Sequence, residues 1–333
     1  MIASHTIPAF YLKQFSSRAA NRKADLVWVY ERNQHPAQRN IRKQGKQNGY
    51  FGARGPDGSI DDKEHEKAMA RLENECNESL VCARSDLFDR SSTRHRRRLA
   101  FYAALLYARS TQRRSHSEHV GKQVIADLAS AAEDEALMTE IADKINSLAT
   151  ESLFTAASVR DLVLERVRLD AEPAERNTQF VEGIRGLVEH FTEILLRKNW
   201  QTWKAPAGTE FVTSDNPVIN FIMLPHGPFH PGYGFNKGFT AFPLAPDACL
   251  IMGVKVGAPD VRMVDVSIVS RMNEAIIGIC DRYTYSRSFS AEIGNLAQQV
   301  GGIFRYGKNA LLPVGLNRPT AHDFLRRQFG LTQ

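Results

Sequence analysis

The chain has 333 residues, of which 43% are apolar and 24% charged, with a formal net charge of +6. That is enough chain for one large core or two ordinary ones, and the balance is that of a globular protein. No apolar run approaches the roughly 20 residues of a membrane span, and the first residues lack a secretory leader's charged and apolar regions, so a cytoplasmic protein without membrane contact is expected.

The charge is uneven. Residues 1–114 hold 22 Lys and Arg against 12 Asp and Glu, while the rest of the chain holds 21 against 25. The excess lies in the stretch containing Arg39, Arg42, Lys43 and Lys46 and in Arg94–Arg98. Such a field favours an anionic partner, nucleic acid or a nucleotide; the alternative is a solvated basic face. The four cysteines (Cys76, Cys82, Cys249, Cys280) contain no Cys-x-x-Cys pair, so no zinc site or disulfide framework is expected.

In chain order, His5 precedes a proline and an aromatic helical turn (Phe10, Tyr11, Phe15) that would dock on the body. The imidazole there can act as base, ligand or plain hydrogen-bond donor. Leu26–Glu31 is a strand by composition, and 34–59 a long exposed loop or ribbon. Residues 61–83 form a helix with stripe Met69, Leu72, Cys76 and Leu80. Glu66 and Glu73, seven residues apart, lie about 20° apart around its axis. They suit a divalent metal, acid–base work or pairing with arginines.

A second helix is expected over 93–114, with stripe Leu99, Tyr102, Ala103 and Leu106. Steps of seven along it reach Arg109 and Arg113, so both guanidiniums face inward, where each needs a glutamate or an anion. From 115 to 203 the pattern is helical, with breaks near 147–150 and 170–173, and Trp200 and Trp203 closing the block.

The sheet portion follows, with strands expected at 211–213, 218–223, 239–242 and 249–254. Between the first two lies Thr213-Ser214-Asp215-Asn216-Pro217-Val218. Pro217 holds Asn216 out of the helical region, so the turn is stiff and presents a carboxylate and an amide at a strand end. A binding site needs such a pair, and so does an ordinary Asx-turn. The connector 225–237 carries His226 and His230, but its Gly and Pro content reads as a cover over a cleft rather than a metal helix. A helix over 265–281 turns Val269, Met272, Ile276 and Cys280 inward with Asn273 beside them. A short strand at Tyr283–Tyr285, a helix over 290–300 and a surface tail from 301 complete the chain.

These segments group as a basic N-terminal region (1–60), a helical region (61–205), a sheet region (206–300) and a tail (301–333), expected to form one continuous unit. The fold class is α+β, a large helical block packed against a small, mostly antiparallel sheet with flanking helices.

Several of these pieces recur together. His-x-Ile-Pro-x-Phe-Tyr-Leu-x-x-Phe from His5, the strand Val-Trp-Val-Tyr-Glu, Glu73 after Leu72, Thr-Ser-Asp-Asn-Pro-Val, Phe-Pro-Leu-Ala-Pro and the later Asn273 resemble the domain of unknown function 4238 family. The resemblance spans roughly residues 4–287. It implies an α+β protein of bacterial or phage-related origin and carries no activity; either Arg109 or Arg113 can stand for the family's arginine.

The leading expectation is a nuclease- or phosphohydrolase-like enzyme acting at a cleft between helices and sheet. His5, Glu73, Asp215 and Asn216 would be catalytic, Arg109, Arg113 and Asn273 would hold substrate, and a divalent metal is an open option. The alternatives are a non-catalytic nucleic-acid-binding or regulatory module, and a toxin- or defence-type interaction protein.

Overall fold

A computed structural model describes residues 3–18, 24–48, 50–54, 60–61, 63–84, 92–148, 154–222, 230–232, 235, 238–302, 321–329 and 331. The chain begins with β1 (Ala3–His5), α1 (Ala9–Lys13), β2 (Ser17–Arg18), β3 (Asp25–Glu31), β4 (Ala37–Asn40), β5 (Lys46–Asn48), β6 (Ala53–Arg54) and β7 (Ile60–Asp61). The helical stretch holds α2 (Lys63–Arg84), α3 (Thr93–Ala108), α4 (Thr111–Ala132), α5 (Glu135–Leu148), α6 (Ala156–Ala171) and α7 (Pro173–Leu196). Then come β8 (Trp200–Lys204), β9 (Thr213–Ser214), β10 (Ile219–Ile222), β11 (His230–Gly232), β12 (Phe239–Ala245), β13 (Ala248–Met252) and β14 (Val261–Met263). The chain closes with α8 (Val266–Ile279), β15 (Tyr283–Ser286), α9 (Ala291–Val300) and α10 (Ala321–Gln328).

The fold is α+β. A six-stranded sheet runs β11-β10-β12-β13-β8-β14, antiparallel except for β14, which lies parallel to β8. A second sheet runs β2-β3-β15-β9, with β4 also on β3. β12 and β13 are buried along their whole lengths because both faces of the large sheet are covered, which is why they read as unbroken apolar runs. On one face Phe242, Leu244 and Leu250 meet Leu106 of α3 and Val188 of α7; on the other Phe221, Ala241 and Ile251 meet Met272 and Ile276 of α8. A third cluster joins Ala131, Met138, Ile141, Val159 and Leu325, so the described end of the tail docks on α4, α5 and α6.

The N-terminus is sewn into the first of these cores. Tyr11 stacks on Phe242, and its hydroxyl lies 2.8 Å from Thr213 Oγ1 while donating to the Pro243 carbonyl at 2.6 Å.

Two expectations need correction. The helix expected over 93–114 is two helices, because the Ser110 hydroxyl caps a new start by accepting from Arg113 N–H. Trp200 and Trp203 belong to a strand, with β8 held between β13 and β14 and the Trp200 indole donating to Leu195 O. The ribbon over 34–59 contains the short strands β4, β5 and β6. The connector 225–237 lies largely outside the described residues, His226 included, as do 303–320 of the tail. No helix among the described residues is long and apolar enough to cross a membrane.

Gly45 shows what holds the ribbon in place. Its φ is +62°, its carbonyl accepts Thr6 N–H at 2.8 Å, and a Cβ there would sit 2.5 Å from Ile7 Cγ2. Gly45→Ala combines left-handed strain with a clash against buried side chain, an expected cost of about 2 kcal/mol. A denaturant melt matching the wild type would show that this approach contributes nothing.

Candidate functional site

Asp215 follows β9, whose two residues pair with Tyr285 and Thr284 of β15. Its own N–H donates to Tyr283 O at 3.0 Å, which turns the side chain toward the segment linking α8 to β15. There one carboxylate oxygen accepts Asp281 N–H at 2.8 Å, and the other accepts Arg282 N–H at 2.7 Å and Tyr283 N–H at 2.8 Å. The group is 3% exposed. Burial, with Asp281 adding to it, pushes the carboxyl up to about 7, and the three N–H donors pull the other way.

Pro217 disfavours the helical region for Asn216 before it, and Asn216 N–H donates to Ser214 Oγ at 3.2 Å. The Asn216 amide donates to Gln112 Oε1, while its Oδ1 is buried without a hydrogen-bond partner among the described residues. It faces a hollow of about 10 Å³, room for a single water, shared with Gln112, Arg113 and Asn220. Arg113 therefore lies beside Asn216.

Arg109 has a different neighbourhood. It is 1% exposed and pairs with Glu73 at 2.6 Å, while donating to the carbonyls of His5 and Thr6. Tyr50 in turn donates to the Arg109 carbonyl at 3.0 Å. The inward stripe was read correctly, and glutamate rather than an anion meets this guanidinium. His5 contributes its backbone; its imidazole Nε2 lies 3.3 Å from Arg42 O. Asn273 lies elsewhere again, accepting Val212 N–H and donating to Glu210 O, both at 2.9 Å, as a strand partner would.

The seven expected residues thus fall into four places. His5, Glu73 and Arg109 form one cluster, Asn216 and Arg113 another, and Asp215 and Asn273 stand apart. Asp215 alone of these borders a hollow of about 170 Å³, basic on balance, where Arg39, Lys43, Lys46 and Arg282 meet Thr111 and Asp281 adds a second carboxylate. Thr111 is the first residue of α4, and its buried hydroxyl has no hydrogen-bond partner among the described residues. Arg39, Lys43 and Lys46 form no ion pair among the described residues, whereas Arg282 is held by Glu31 at 2.5 Å. The charge of the ribbon is legible in the sequence, but its approach to Asp215 is not, and neither Thr111 nor Arg282 stands out there. Burial of a hydroxyl at a helix start has no sequence signature. No group of three His, Cys, Asp or Glu among the described residues could hold a metal ion.

The fold and hollow define an α+β protein with a cationic recess between its N-terminal ribbon and a helix start. The family of proteins of unknown function DUF4238 matches residues 4–290, and the chain belongs to it. No curated protein matches the chain. No solved structure matches it either.

Proposed function

We propose that the chain binds a phosphate-bearing ligand in the recess beside Asp215. One observation carries this: four cationic side chains outnumber the carboxyls of Asp215 and Asp281 around one hollow, which the start of a 22-residue helix and a buried unpartnered hydroxyl also line. Helix starts favour anions through their exposed N–H groups and dipole, and Arg and Lys add charge-assisted hydrogen bonds. The basic first third of the chain supports a nucleotide or nucleic acid as the bearer of that phosphate.

Asp215 adds a hydrolytic reading, since its carboxyl borders the recess and is pushed up to about 7. In that reaction water adds to phosphorus, the ester P–O bond breaks, and the departing oxygen takes the Asp215 proton, which the attacking water restores.

Calorimetric titration with inorganic phosphate and with a 5′-phosphorylated oligonucleotide tests the proposal. The wild type should bind both, and the Lys43→Ala, Lys46→Ala double variant should bind at least tenfold more weakly, because both charges point at one recess. Equal affinity in the two proteins, or none in either, would overturn it. Turnover of a nitrophenyl phosphate ester, with a rate that falls above about pH 7, separates the hydrolytic reading from binding alone.

A further inference from the structure

A second and larger hollow lies on the other side of β9, and it shares no lining residue with the basic recess. It measures about 480 Å³, within the range that takes a small organic ligand. One wall is the α8 face that presents Val266, Val269, Ser270 and Asn273, spaced three or four residues apart so that they line up. The opposite wall is α9 with Glu292, Ile293 and Leu296, and the segments around Glu210 and Ser286–Ser290 close the ends.

The charge of this hollow is one-sided. Its only ionisable lining residues are Glu210 and Glu292, and neither is paired with a cation among the described residues. Both carboxylates are placed by serines instead. Glu210 accepts Ser288 Oγ–H at 3.0 Å and Ser288 N–H at 3.3 Å, and Glu292 accepts Ser270 Oγ–H at 3.4 Å across the gap between the helices. Val212, Val266, Val269, Ile293 and Leu296 supply apolar surface, interleaved with the hydroxyls of Thr209, Ser286 and Ser290 and the Asn273 amide. Phe289 and Val266 are more than half exposed at the mouth, and the Phe289 ring is braced by Trp28 with ring centroids 5.0 Å apart.

We infer that this cleft binds a small organic cation, a primary amine carried on an apolar, aromatic body. The amine supplies the positive charge that two uncompensated carboxylates lack, and donates to acceptors that serines already hold in place. The body lies on Val269, Ile293 and Leu296 and meets the Phe289 ring, where aromatic contact adds to burial. The same two carboxylates disfavour an anion, because no lysine or arginine lines the hollow to offset them. A neutral molecule would leave their charge unanswered.

Three probes with one ring system and different charges test this on the full chain by calorimetry: tryptamine, indole-3-ethanol and indole-3-acetate. Tryptamine should bind at least tenfold more tightly than the alcohol, and the acid should not bind. Glu292→Gln, on the exposed turn of α9, should weaken tryptamine at least fivefold and leave the alcohol unchanged. Phe289→Ala should weaken both equally. Equal binding of the three probes, or no binding by any, would overturn the inference, as would capture of a lysine-rich peptide when no small probe binds. Phosphate affinity in Glu292→Gln should match the wild type, so a failure of this inference is distinct from a failure at the basic recess.

Discussion

Asp215→Asn will destabilise the fold by about 3 kcal/mol, a Tm lower by about 4 °C in a chain of this length. The aspartate accepts three backbone N–H groups through two oxygens, and an asparagine keeps one oxygen while turning an NH₂ toward donors that already point there. The segment that closes α8 onto β15 would lose its anchor. The pH dependence carries a sign of its own. With the folded carboxyl raised to about 7, its contribution is complete below the ordinary carboxylate range and is lost as pH rises through 7. The stability gap between wild type and Asp215→Asn should therefore be widest near pH 4 and narrow by pH 8. Chemical denaturation at several pH values measures it. A gap that widens with pH would mean that the three N–H donors outweigh burial, and a variant of unchanged stability would remove the structural role altogether.

The second large effect is expected at Glu73. Among the described residues its carboxylate is the one charge paired with Arg109, whose guanidinium otherwise donates to the carbonyls of His5 and Thr6. Glu73→Gln leaves that cation buried without a counter-charge, a loss of about 3 kcal/mol or more. Because Arg109 holds β1 to the helices, amide exchange at Thr6 and Ile7 should accelerate more than exchange in β12. Uniform acceleration across both segments would argue against this local tie. Arg109→Lys should not rescue the site, since a point charge cannot reach the carboxylate and two carbonyls at once.

Periodicity made much of the architecture readable. β3 and α9 stand where residue composition puts a strand and a helix, α8 where helical spacing does, and the seven-residue step from Tyr102 to Arg109 points to a buried cation. Elements governed by distant partners were hidden. Trp200–Lys204 is a strand because β13 and β14 flank it, and both of those lie later in the chain. The break at Ser110 has neither Gly nor Pro to announce it. The candidate site was less legible still. A carboxylate satisfied by main-chain N–H groups 66 residues away leaves no mark on side-chain identity, so the turn at Asp215 is legible while its partners are not.

The Tyr11 hydroxyl bridge joins residues 232 positions apart. A polypeptide emerging from the ribosome at roughly 5–20 residues per second must therefore wait at least ten seconds for the strand that receives its opening segment. Through that interval Tyr11 lacks the Phe242 ring and the Pro243 carbonyl that receive it. Nascent copies are open to chaperones, and to one another, until β12 arrives.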